Sequence, residues 1–254
     1  MKGIILAGGT GTRLFPLTVV TNKHLVPVNN LPMIEYPLSR LRKLNPDSIS
    51  IVTGGENFQD VARYLGTIHP DINFSFHIQL KAGGIAQALD LTKSSVKNDK
   101  LAVILGDNIF EDDFSEAYQR FENNDLGAMV FLKEAKYPQR FGVAEVRGDK
   151  VISIEEKPQF PKSNLVTTGF YLYDSTIFEK IQRLKPSKRG EYEITDVNNM
   201  YLEEGRLGYY QISGFWGEFT FHKEQNYLIE ASFLKEEEKE TPPKIYKGIF
   251  RFKF

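Results

Sequence analysis

The sequence predicts an α/β fold: a Rossmann-like, mixed but mostly parallel sheet flanked by helices, with a β-hairpin insertion. Three observations predict it. Short apolar or β-rich runs alternate with helical patterns through the first half of the 254 residues, which is the order of βαβ units. A glycine-rich bend follows the first of these runs. Two β-rich runs flank Gly148-Asp149, as the strands of a hairpin would.

Five strands are predicted in the first half. They cover residues 2 to 6, 48 to 53, 73 to 79, 101 to 105 and 128 to 132. One connecting helix is predicted to begin near Asn30, with Pro32 in its first turn and an apolar stripe from Met33 to Leu44. Pro37 lies inside that stripe and predicts a kink.

The pattern changes after residue 140. FGVAEV and VISI are the predicted hairpin strands, and helical patterns return at about 175 to 185, 193 to 204 and 223 to 238. We interpret the hairpin as an insertion into one compact unit, not as a separate domain. Residues 1 to 240 are therefore predicted to form one domain, and 241 to 254 a C-terminal tail. The charged segment KEEEKETPP, read as a solvated helix end and linker, spans this boundary.

The composition excludes several classes of function. Lysine plus arginine (32) balances aspartate plus glutamate (33), so no bulk charge indicates a nucleic acid or membrane partner, and an anionic ligand must be met locally. The absence of cysteine excludes disulfides, thiolate metal sites and cysteine nucleophiles, and favours a cytoplasmic location. The N-terminal apolar run is broken by glycines and no later run is long enough to cross a bilayer, so a soluble protein is expected.

The bend ILAGGTGTRLFP, residues 5 to 16, is the first candidate site. It is not a Walker A loop, because no lysine follows Gly11, and Leu14 stands where a dinucleotide fingerprint needs a third glycine or alanine. A strand that ends in glycines can turn several backbone N–H groups toward an anion, and Arg13 adds a fork for phosphate oxygens. A glycine turn that only joins strand to helix explains the same letters, and the bend alone leaves both readings open.

Further candidates follow other strands. Asp107 comes after LAVIL and Gly106, at the carboxyl end of a predicted interior strand, where open α/β sheets place their ligands. Its carboxylate can hold Mg²⁺, although a cap in the turn GDN is the alternative. Lys23 is either a phosphate contact or a surface lysine. Glu155 to Pro158, taken alone, favour a charged strand exit over a binding site.

Eight blocks in order resemble the sugar-1-phosphate nucleotidylyltransferases over about the first 235 residues. The blocks are MKGIILAGGTGTRLFPLT with Lys23, LPMIEYPLS, GGIAQAL, LGDNIF, RFGVAEV, EEKP, TGFYLYD and RGEYEITDVN. The resemblance implies the nucleotide-diphospho-sugar transferase fold. It implies in-line, Mg²⁺-assisted attack of a sugar 1-phosphate, with glucose 1-phosphate expected, on a pyrimidine nucleoside triphosphate, dTTP or UTP, releasing pyrophosphate. It also implies a homo-oligomer, a dimer or a tetramer.

The resemblance also implies a role for each matching residue. Arg13, Lys23 and Asp107 would be catalytic, and Asp107 and Glu218 would bind the metal. Arg13 would hold the leaving pyrophosphate. Nucleotide contacts would come from Leu6, Gly8, Gly9, Gly11, Thr12, Gln79, Gly84 and Gln87, and sugar-phosphate contacts from Gly142, Glu156, Lys157, Thr168 and Arg189. A glutamine amide matches the imide edge of thymine or uracil.

The sequence departs from the family in several places. Leu31 replaces a lysine, and Leu80-Lys81-Ala82 replaces a proline-bearing turn beside the base site. WGEFTF stands where the family has W-x-D-x-G-T, so Glu218 takes the place of a metal-binding aspartate. The sequence ends at Phe254, before the C-terminal helices that longer members carry and that are associated with feedback. Two alternatives follow: a catalytically weakened member that binds nucleotide-sugar as a regulatory or structural subunit, and an enzyme of this fold with another pyrimidine nucleotide or sugar.

Overall fold

A computed structural model describes residues 1 to 218, except positions 10, 12, 13, 15, 16 and 56. The predicted helix at 223 to 238 and the proposed boundary between domain and tail lie outside the described residues. The division at residue 240 therefore stays a prediction.

In chain order, the strands are β1 (Lys2–Ala7), β2 (Pro27–Val28), β3 (Leu31–Pro32), β4 (Ile49–Gly54), β5 (Phe74–Gln79), β6 (Leu101–Leu105), β7 (Asn108–Phe110), β8 (Ala128–Glu134), β9 (Gly142–Arg147), β10 (Lys150–Glu156), β11 (Leu165–Tyr173), β12 (Leu207–Gln211) and β13 (Trp216–Glu218). The helices are α1 (Glu35–Lys43), α2 (Phe58–Ile68), α3 (Ile85–Asp90), α4 (Lys93–Val96), α5 (Ser115–Asn123), α6 (Ile177–Ile181) and α7 (Ile194–Glu203).

One mixed sheet organises the part of the chain that the structure describes. β6, β1, β4 and β5 lie side by side and parallel, in that order. β11 runs antiparallel to both β6 and β8, and β12 pairs parallel with β8. This confirms the predicted mostly parallel α/β sheet. The five predicted strands are β1, β4, β5, β6 and β8, each within two residues of its expected bounds.

The sheet is buried on both faces, which limits where polar residues can lie. In β1, Ile4 and Leu6 pack into one apolar cluster, whereas Ile5 and Ala7 pack into the other, because successive side chains of a strand point to opposite faces. Polar residues are consequently displaced to the strand ends. The carboxyl ends of β1, β4, β5 and β6 meet at one edge of the sheet.

The predicted hairpin is confirmed as β9 and β10. Gly148 connects them with φ of +63°, a left-handed conformation that glycine adopts without strain. Val143 of β9 pairs with Val166 of β11, so the hairpin extends the main sheet. The hairpin is therefore part of the main sheet, as an insertion would be.

The predicted start of the first helix is wrong. Residues 31 and 32 pair with residues 27 and 28 as the short strands β3 and β2, and α1 begins only at Glu35. Pro37 is consequently the third residue of the helix, where the N–H that it lacks has no intrahelical partner to lose. Pro37 therefore stands in the first turn of α1 instead of kinking a longer helix.

Six of the strands in the described residues had no predicted counterpart: β2, β3, β7, β11, β12 and β13. β11 is a nine-residue strand in the centre of the sheet, β12 lies beyond β8, and β13 pairs with β7 through Glu218 and Asn108. The helical patterns near 180 and 200 correspond to α6, which is shorter than expected, and to α7. Within the described residues, no helix is long and apolar enough to cross a membrane; the cytoplasmic location stays a prediction.

Candidate functional site

The glycine bend lies at the end of β1, as predicted, and two of its glycines have a steric role. A Cβ on Gly8 would lie 2.2 Å from Oε1 of Gln79, and a Cβ on Gly11, whose φ is +59°, would lie 2.7 Å from the Thr18 side chain. Leu6 is buried in the core, and its carbonyl accepts from the N–H of Gly106 at 2.8 Å. Thr12 and Arg13 lie outside the described residues, so their predicted roles stay predictions.

A cavity of about 170 Å³ opens beside this bend, and we call it the glycine-loop cavity. Gly9, Lys23 and Gln79 line it, together with residues that the sequence did not indicate. The unexpected lining residues include Thr18, Asn22, Gly54, Gly55 and Asn57. Their common feature is position in the chain, because Gly54 ends β4 and the others come after β1 or β4.

The other two predicted base contacts lie against Gln79. Nε2 of Gln79 donates to Oε1 of Gln87 at 2.6 Å and to the carbonyl of Gly84 at 3.3 Å. Gly84 has φ of +95°, and a Cβ there would lie 2.6 Å from the carbonyl of Tyr192. The structure therefore brings Gln79, Gly84 and Gln87 together, with Gln79 facing the cavity.

Lys23 and Asp107, 84 residues apart in the chain, form an ion pair of 2.6 Å. Burial alone would raise the pKa of Asp107, but the Lys23 ammonium and the neighbouring hydrogen-bond donors outweigh it and lower that pKa. Asp107 is therefore ionised at neutral pH. Its carboxylate contacts side chains, which argues against the simple cap that the sequence left open.

His24, next to Lys23, is a buried neighbour of this pair. Burial, and then the Lys23 charge, lower the pKa of His24 to about 4, so its ring is neutral at physiological pH. Its Nδ1 lies 2.9 Å from Oδ1 of Asn22, which also accepts from the His24 N–H. Because that oxygen only accepts, Nδ1 carries the proton.

Asn108 connects Asp107 to the rest of the site. Its Nδ2 donates to Oδ1 of Asp107 at 3.1 Å, and its own Oδ1 accepts from Nε1 of Trp216 at 2.7 Å and from the N–H of Gly169 at 3.2 Å. A Cβ on Gly169 would lie 2.5 Å from Oδ1 of Asn108, so only glycine fits there. Asn108 is 1% exposed. It thus orients the Asp107 carboxylate.

A second cavity, of about 160 Å³, has Asn108 in its lining, and we call it the hairpin cavity. All the predicted sugar-phosphate contacts line it, and so does the predicted second metal ligand. These residues are Gly142, Glu156, Lys157, Thr168, Arg189 and Glu218. The residues that the resemblance assigned to one substrate are therefore adjacent in space.

The polar groups of the hairpin cavity are arranged around Glu156. Oγ1 of Thr195, at the start of α7, donates to Oε2 of Glu156 at 2.6 Å. Oγ1 of Thr168 is buried and has no partner among the described residues. Burial raises the pKa of the Tyr171 hydroxyl, and the charges of Glu156 and Glu218 raise it further. The cavity therefore offers an oriented carboxylate, a neutral phenol and an unpaired hydroxyl to a polyhydroxylated ligand.

Arg189 is held by three carboxylates. Its guanidinium donates to both oxygens of Glu193 at 2.8 and 2.9 Å, and lies 3.3 Å from Glu191 and 3.5 Å from Glu156. Hydrogen bonding to Glu193, with the three negative charges, raises the pKa of Arg189. Lys157 is less restrained, because its ion pair with Glu156 is 3.8 Å long. A phosphate at this end would therefore meet Lys157 readily and would share Arg189 with Glu193.

Glu218 is placed by a clamp on the preceding segment, residues 212 to 215. The Asp112 carboxylate accepts from the N–H groups of Ser213 and Gly214 at 2.9 to 3.1 Å. The Lys133 ammonium donates to the carbonyls of residues 212, 213 and 214 at 2.8 to 3.3 Å. Cross-strand pairing of Glu218 with Asn108 then brings it beside the residue that follows Asp107.

Asp107 and Glu218 are the two predicted metal ligands, and carboxylates are the ligand type that Mg²⁺ takes. Asp107 directly precedes β7, and Glu218 pairs with Asn108, the first residue of β7. Both carboxylates are hard oxygen donors. No group of three metal-ligating side chains gathers within the described part of the chain. Mg²⁺ commonly takes one or two carboxylates and completes its shell with waters and phosphate oxygens. The donor set therefore suits a metal held jointly with a phosphorylated ligand.

The sequence indicated most of these side chains but missed several that hold them. Asn108 and Thr195 stand inside the blocks LGDNIF and RGEYEITDVN, so the resemblance could have indicated them. Asp112 and Lys133 gave no sequence signal, because their partners lie about 80 to 100 residues further along the chain.

Comparison with known proteins shows the family of the chain. The family model described as nucleotidyl transferase matches residues 2 to 219. A glucose-1-phosphate thymidylyltransferase from Neisseria meningitidis is 44% identical over 210 residues, which are 82% of this chain and 73% of that protein. The low-salt glycan biosynthesis nucleotidyltransferase Agl11 of Haloferax volcanii is 35% identical over 94% of this chain and 67% of its own length.

Solved structures show the same fold. A Bacillus anthracis protein assigned as a glucose-1-phosphate thymidylyltransferase, in complex with a sucrose, is 52% identical with a TM-score of 0.81, covering 86% of this chain and 89% of its own. A UDP-glucose pyrophosphorylase complexed with UDP-glucose is 24% identical and aligns over 85% of this chain and 92% of its own with a TM-score of 0.77, so its likeness concerns the fold alone.

Proposed function

The chain belongs to the nucleotidyl transferase family, and we propose that it transfers a thymidylyl group from dTTP to glucose 1-phosphate and releases pyrophosphate. The family and the enzyme class confirm the resemblance in the sequence. The nucleotide, the sugar, the metal and the residue roles are the proposal.

One observation carries the proposal: the Asp107 carboxylate bonds to one lining residue of each cavity. Its Oδ2 binds Lys23, which lines the glycine-loop cavity, and its Oδ1 binds Asn108, which lines the hairpin cavity. A nucleotide in the first cavity and a sugar phosphate in the second would therefore meet at Asp107. This is the arrangement that a direct transfer between two bound anions requires.

On the nucleotide side, the backbone around Gly8, Gly9 and Gly11 would hold the triphosphate, with Lys23 offsetting its charge. Gln79 would contact the base. Arg13, outside the described residues, would neutralise the departing pyrophosphate.

On the sugar side, Glu156 would accept hydroxyl protons of the sugar, and Thr168 would supply its unpaired hydroxyl. Lys157 and Arg189 would hold the sugar phosphate. Because Glu193 already neutralises much of Arg189, Lys157 would supply the larger share of the attraction. A phosphate oxygen of the sugar then attacks the α-phosphorus in line, so no protein nucleophile is needed.

Asp107 and Glu218 would hold Mg²⁺, which supplies charge neutralisation on the phosphates when it is bound. The glutamate at position 218 is one methylene longer than the aspartate of the family pattern. The short β13 pairing with β7 sets where its backbone lies. Metal titration of Glu218→Gln tests this assignment, since unchanged metal dependence would remove Glu218 from the site.

A pyrophosphate-release assay tests the function. The panel combines dTTP, UTP, CTP, ATP and GTP with several sugar 1-phosphates, with and without EDTA. We expect turnover with dTTP or UTP and glucose 1-phosphate, and none with purine triphosphates. Binding of nucleotide-sugar without turnover of any triphosphate and sugar 1-phosphate pair would refute the proposal. It would favour the alternative of a catalytically weakened family member with a regulatory or structural role.

A further inference from the structure

We propose that the Lys23 ammonium and a divalent cation compete for the Asp107 carboxylate, so that Lys23 keeps metal affinity low until a phosphate group draws the ammonium away. The inference rests on the proposed function in one respect, the assignment of Asp107 as a metal ligand. It gives Lys23 a second role beside its predicted contact with phosphate.

Both oxygens of the Asp107 carboxylate accept hydrogen bonds. Nζ of Lys23 donates to Oδ2 at 2.6 Å, and Nδ2 of Asn108 donates to Oδ1 at 3.1 Å. A metal ion that binds this carboxylate must therefore share an oxygen with one of the donors or displace it. Which donor yields depends on how firmly each is held.

Asn108 is held so that it cannot yield. Its Oδ1 accepts from Nε1 of Trp216 at 2.7 Å and from the backbone N–H of Gly169 at 3.2 Å. Both of these groups can only donate, so the Asn108 amide cannot turn over, and its Nδ2 stays toward Asp107. The exchangeable partner of Asp107 is therefore Lys23.

Lys23 is held by much less. Within the described residues, its ammonium forms an ion pair with Asp107 alone, and it stands on a flexible four-carbon stem. The side chains of Lys23 and Asp107 are 18% and 22% exposed, so an ion from solvent can reach the pair. Lys23 also lines the glycine-loop cavity, where the triphosphate is proposed to bind. Its ammonium thus has an alternative place close to where it lies.

Electrostatics makes the two cations exclusive. An ammonium and a divalent ion on one carboxylate would lie within about 5 Å of each other, where like charges in a partly buried site repel strongly. A phosphate in the glycine-loop cavity relieves this conflict, because it gives the ammonium a second anion to bind. Metal and phosphate then favour each other's binding, and by linkage the effect is reciprocal.

The test measures metal binding directly, without turnover. Mn²⁺ replaces Mg²⁺, because the electron paramagnetic resonance signal of free Mn²⁺ reports how much is bound. The protein is titrated without nucleotide at about pH 8, so that the Asp107 carboxyl stays ionised when its ammonium partner is removed. Lys23→Met removes the charge and Lys23→Arg keeps it. Lys43→Met is the matched control, because it loses the same charge from an exposed ion pair with Asp113.

We expect Lys23→Met to bind Mn²⁺ more tightly than the wild type by roughly tenfold to a hundredfold, the value of a charge-assisted hydrogen bond. Lys23→Arg and Lys43→Met should stay close to the wild type. Adding Asp107→Asn to Lys23→Met should abolish the gain. Affinity in Lys23→Met no higher than in Lys43→Met, or a gain that survives Asp107→Asn, would overturn the inference.

A second measurement needs no variant. dTMP carries one phosphate and chelates Mn²⁺ weakly, so at a saturating concentration it should tighten Mn²⁺ binding to the wild type severalfold. In Lys23→Met the effect of dTMP should be smaller. An unchanged Mn²⁺ affinity of the wild type with dTMP would contradict the release of Lys23 by phosphate, even if Lys23→Met did not fold.

Failure of the proposed function would look different. If no triphosphate and sugar 1-phosphate pair turns over, yet Lys23→Met gains Mn²⁺ affinity through Asp107, the reaction fails and the competition stands. If turnover depends on Mg²⁺ but Lys23→Met binds Mn²⁺ no more tightly than the wild type, the reaction stands and the inference about Lys23 is wrong.

Discussion

Lys157 has a backbone conformation that lowers the stability of the protein. Replacing Lys157 should therefore change stability and activity in distinguishable ways. Its φ is +45°, in the left-handed region, although it has a side chain. It lies at the end of the hairpin strand β10, where its N–H donates to the carbonyl of Phe141 at 2.9 Å. That bond places the chain so that Lys157 lines the hairpin cavity.

The comparison that isolates this strain is Lys157→Gly against Lys157→Ala. Both lose the ammonium, and only glycine relieves a left-handed conformation that costs an L-residue roughly 1–2 kcal/mol. Glycine also lowers the free energy of unfolding by about 0.5–1 kcal/mol relative to alanine, because its unfolded chain has more conformational freedom. The glycine variant should therefore be more stable than the alanine variant by roughly 0.5–1 kcal/mol. The lost pair with Glu156, 3.8 Å long and on a half-exposed side chain, contributes little to either.

Urea denaturation measures the stability difference, and pyrophosphate release measures function. Both variants should lose kcat/KM for the sugar 1-phosphate by about tenfold to a hundredfold, the value of a charge-assisted hydrogen bond. The same pair of changes at exposed Lys150, whose φ is not positive, should reverse the order, with alanine the more stable. If Lys157→Gly is no more stable than Lys157→Ala, the backbone is not strained and the reasoning fails.

Three further outcomes follow from the same contacts. Asp107→Asn keeps the shape but loses the charge that holds a hard cation, so Mg²⁺-dependent turnover should nearly vanish, and full metal-dependent activity would exclude Asp107 as a ligand. Lys133→Met should release residues 212 to 214, which precede Glu218, and raise the Mg²⁺ concentration for half-maximal activity severalfold. Lys133→Arg should reverse part of that rise. An unchanged Mg²⁺ dependence would show that the Lys133 contacts do not position Glu218. Hydrogen bonds from Ser115, aided by Lys43, lower the pKa of Asp113 to about 2, so its contribution to stability is complete above about pH 4 and is lost as the pH falls toward 2. Asp113→Asn should therefore lose less stability than the wild type between about pH 5 and pH 3 in urea titrations, and equal losses would contradict the shifted pKa.

The sequence determined the features that depend on neighbours in the chain. β1 and its glycine bend, Asp107 at the end of β6, and the hairpin around Gly148 were readable because hydrophobic periodicity and turn residues act locally. The ordered motif blocks determined the family. The prediction of where the first helix begins was wrong for a local reason. Proline fits the first turn of a helix, so the sequence allowed either Pro32 or Pro37 there, and only the pairing of β2 with β3 decides between them.

Only the tertiary structure decided how the candidate side chains are held. Asn108 bonds Trp216, 108 residues away, and Lys133 reaches the carbonyl of Gly214 across 81 residues. The ion pair between Arg189 and Glu193 joins residues only four positions apart. How strongly Arg189 would attract a phosphate depends also on Glu156, which the strand β10 brings beside it. Such contacts leave no periodic trace in the sequence, because a hydrogen bond across a sheet constrains two positions whose separation is set by topology. Which residues meet is fixed only when the strands have paired.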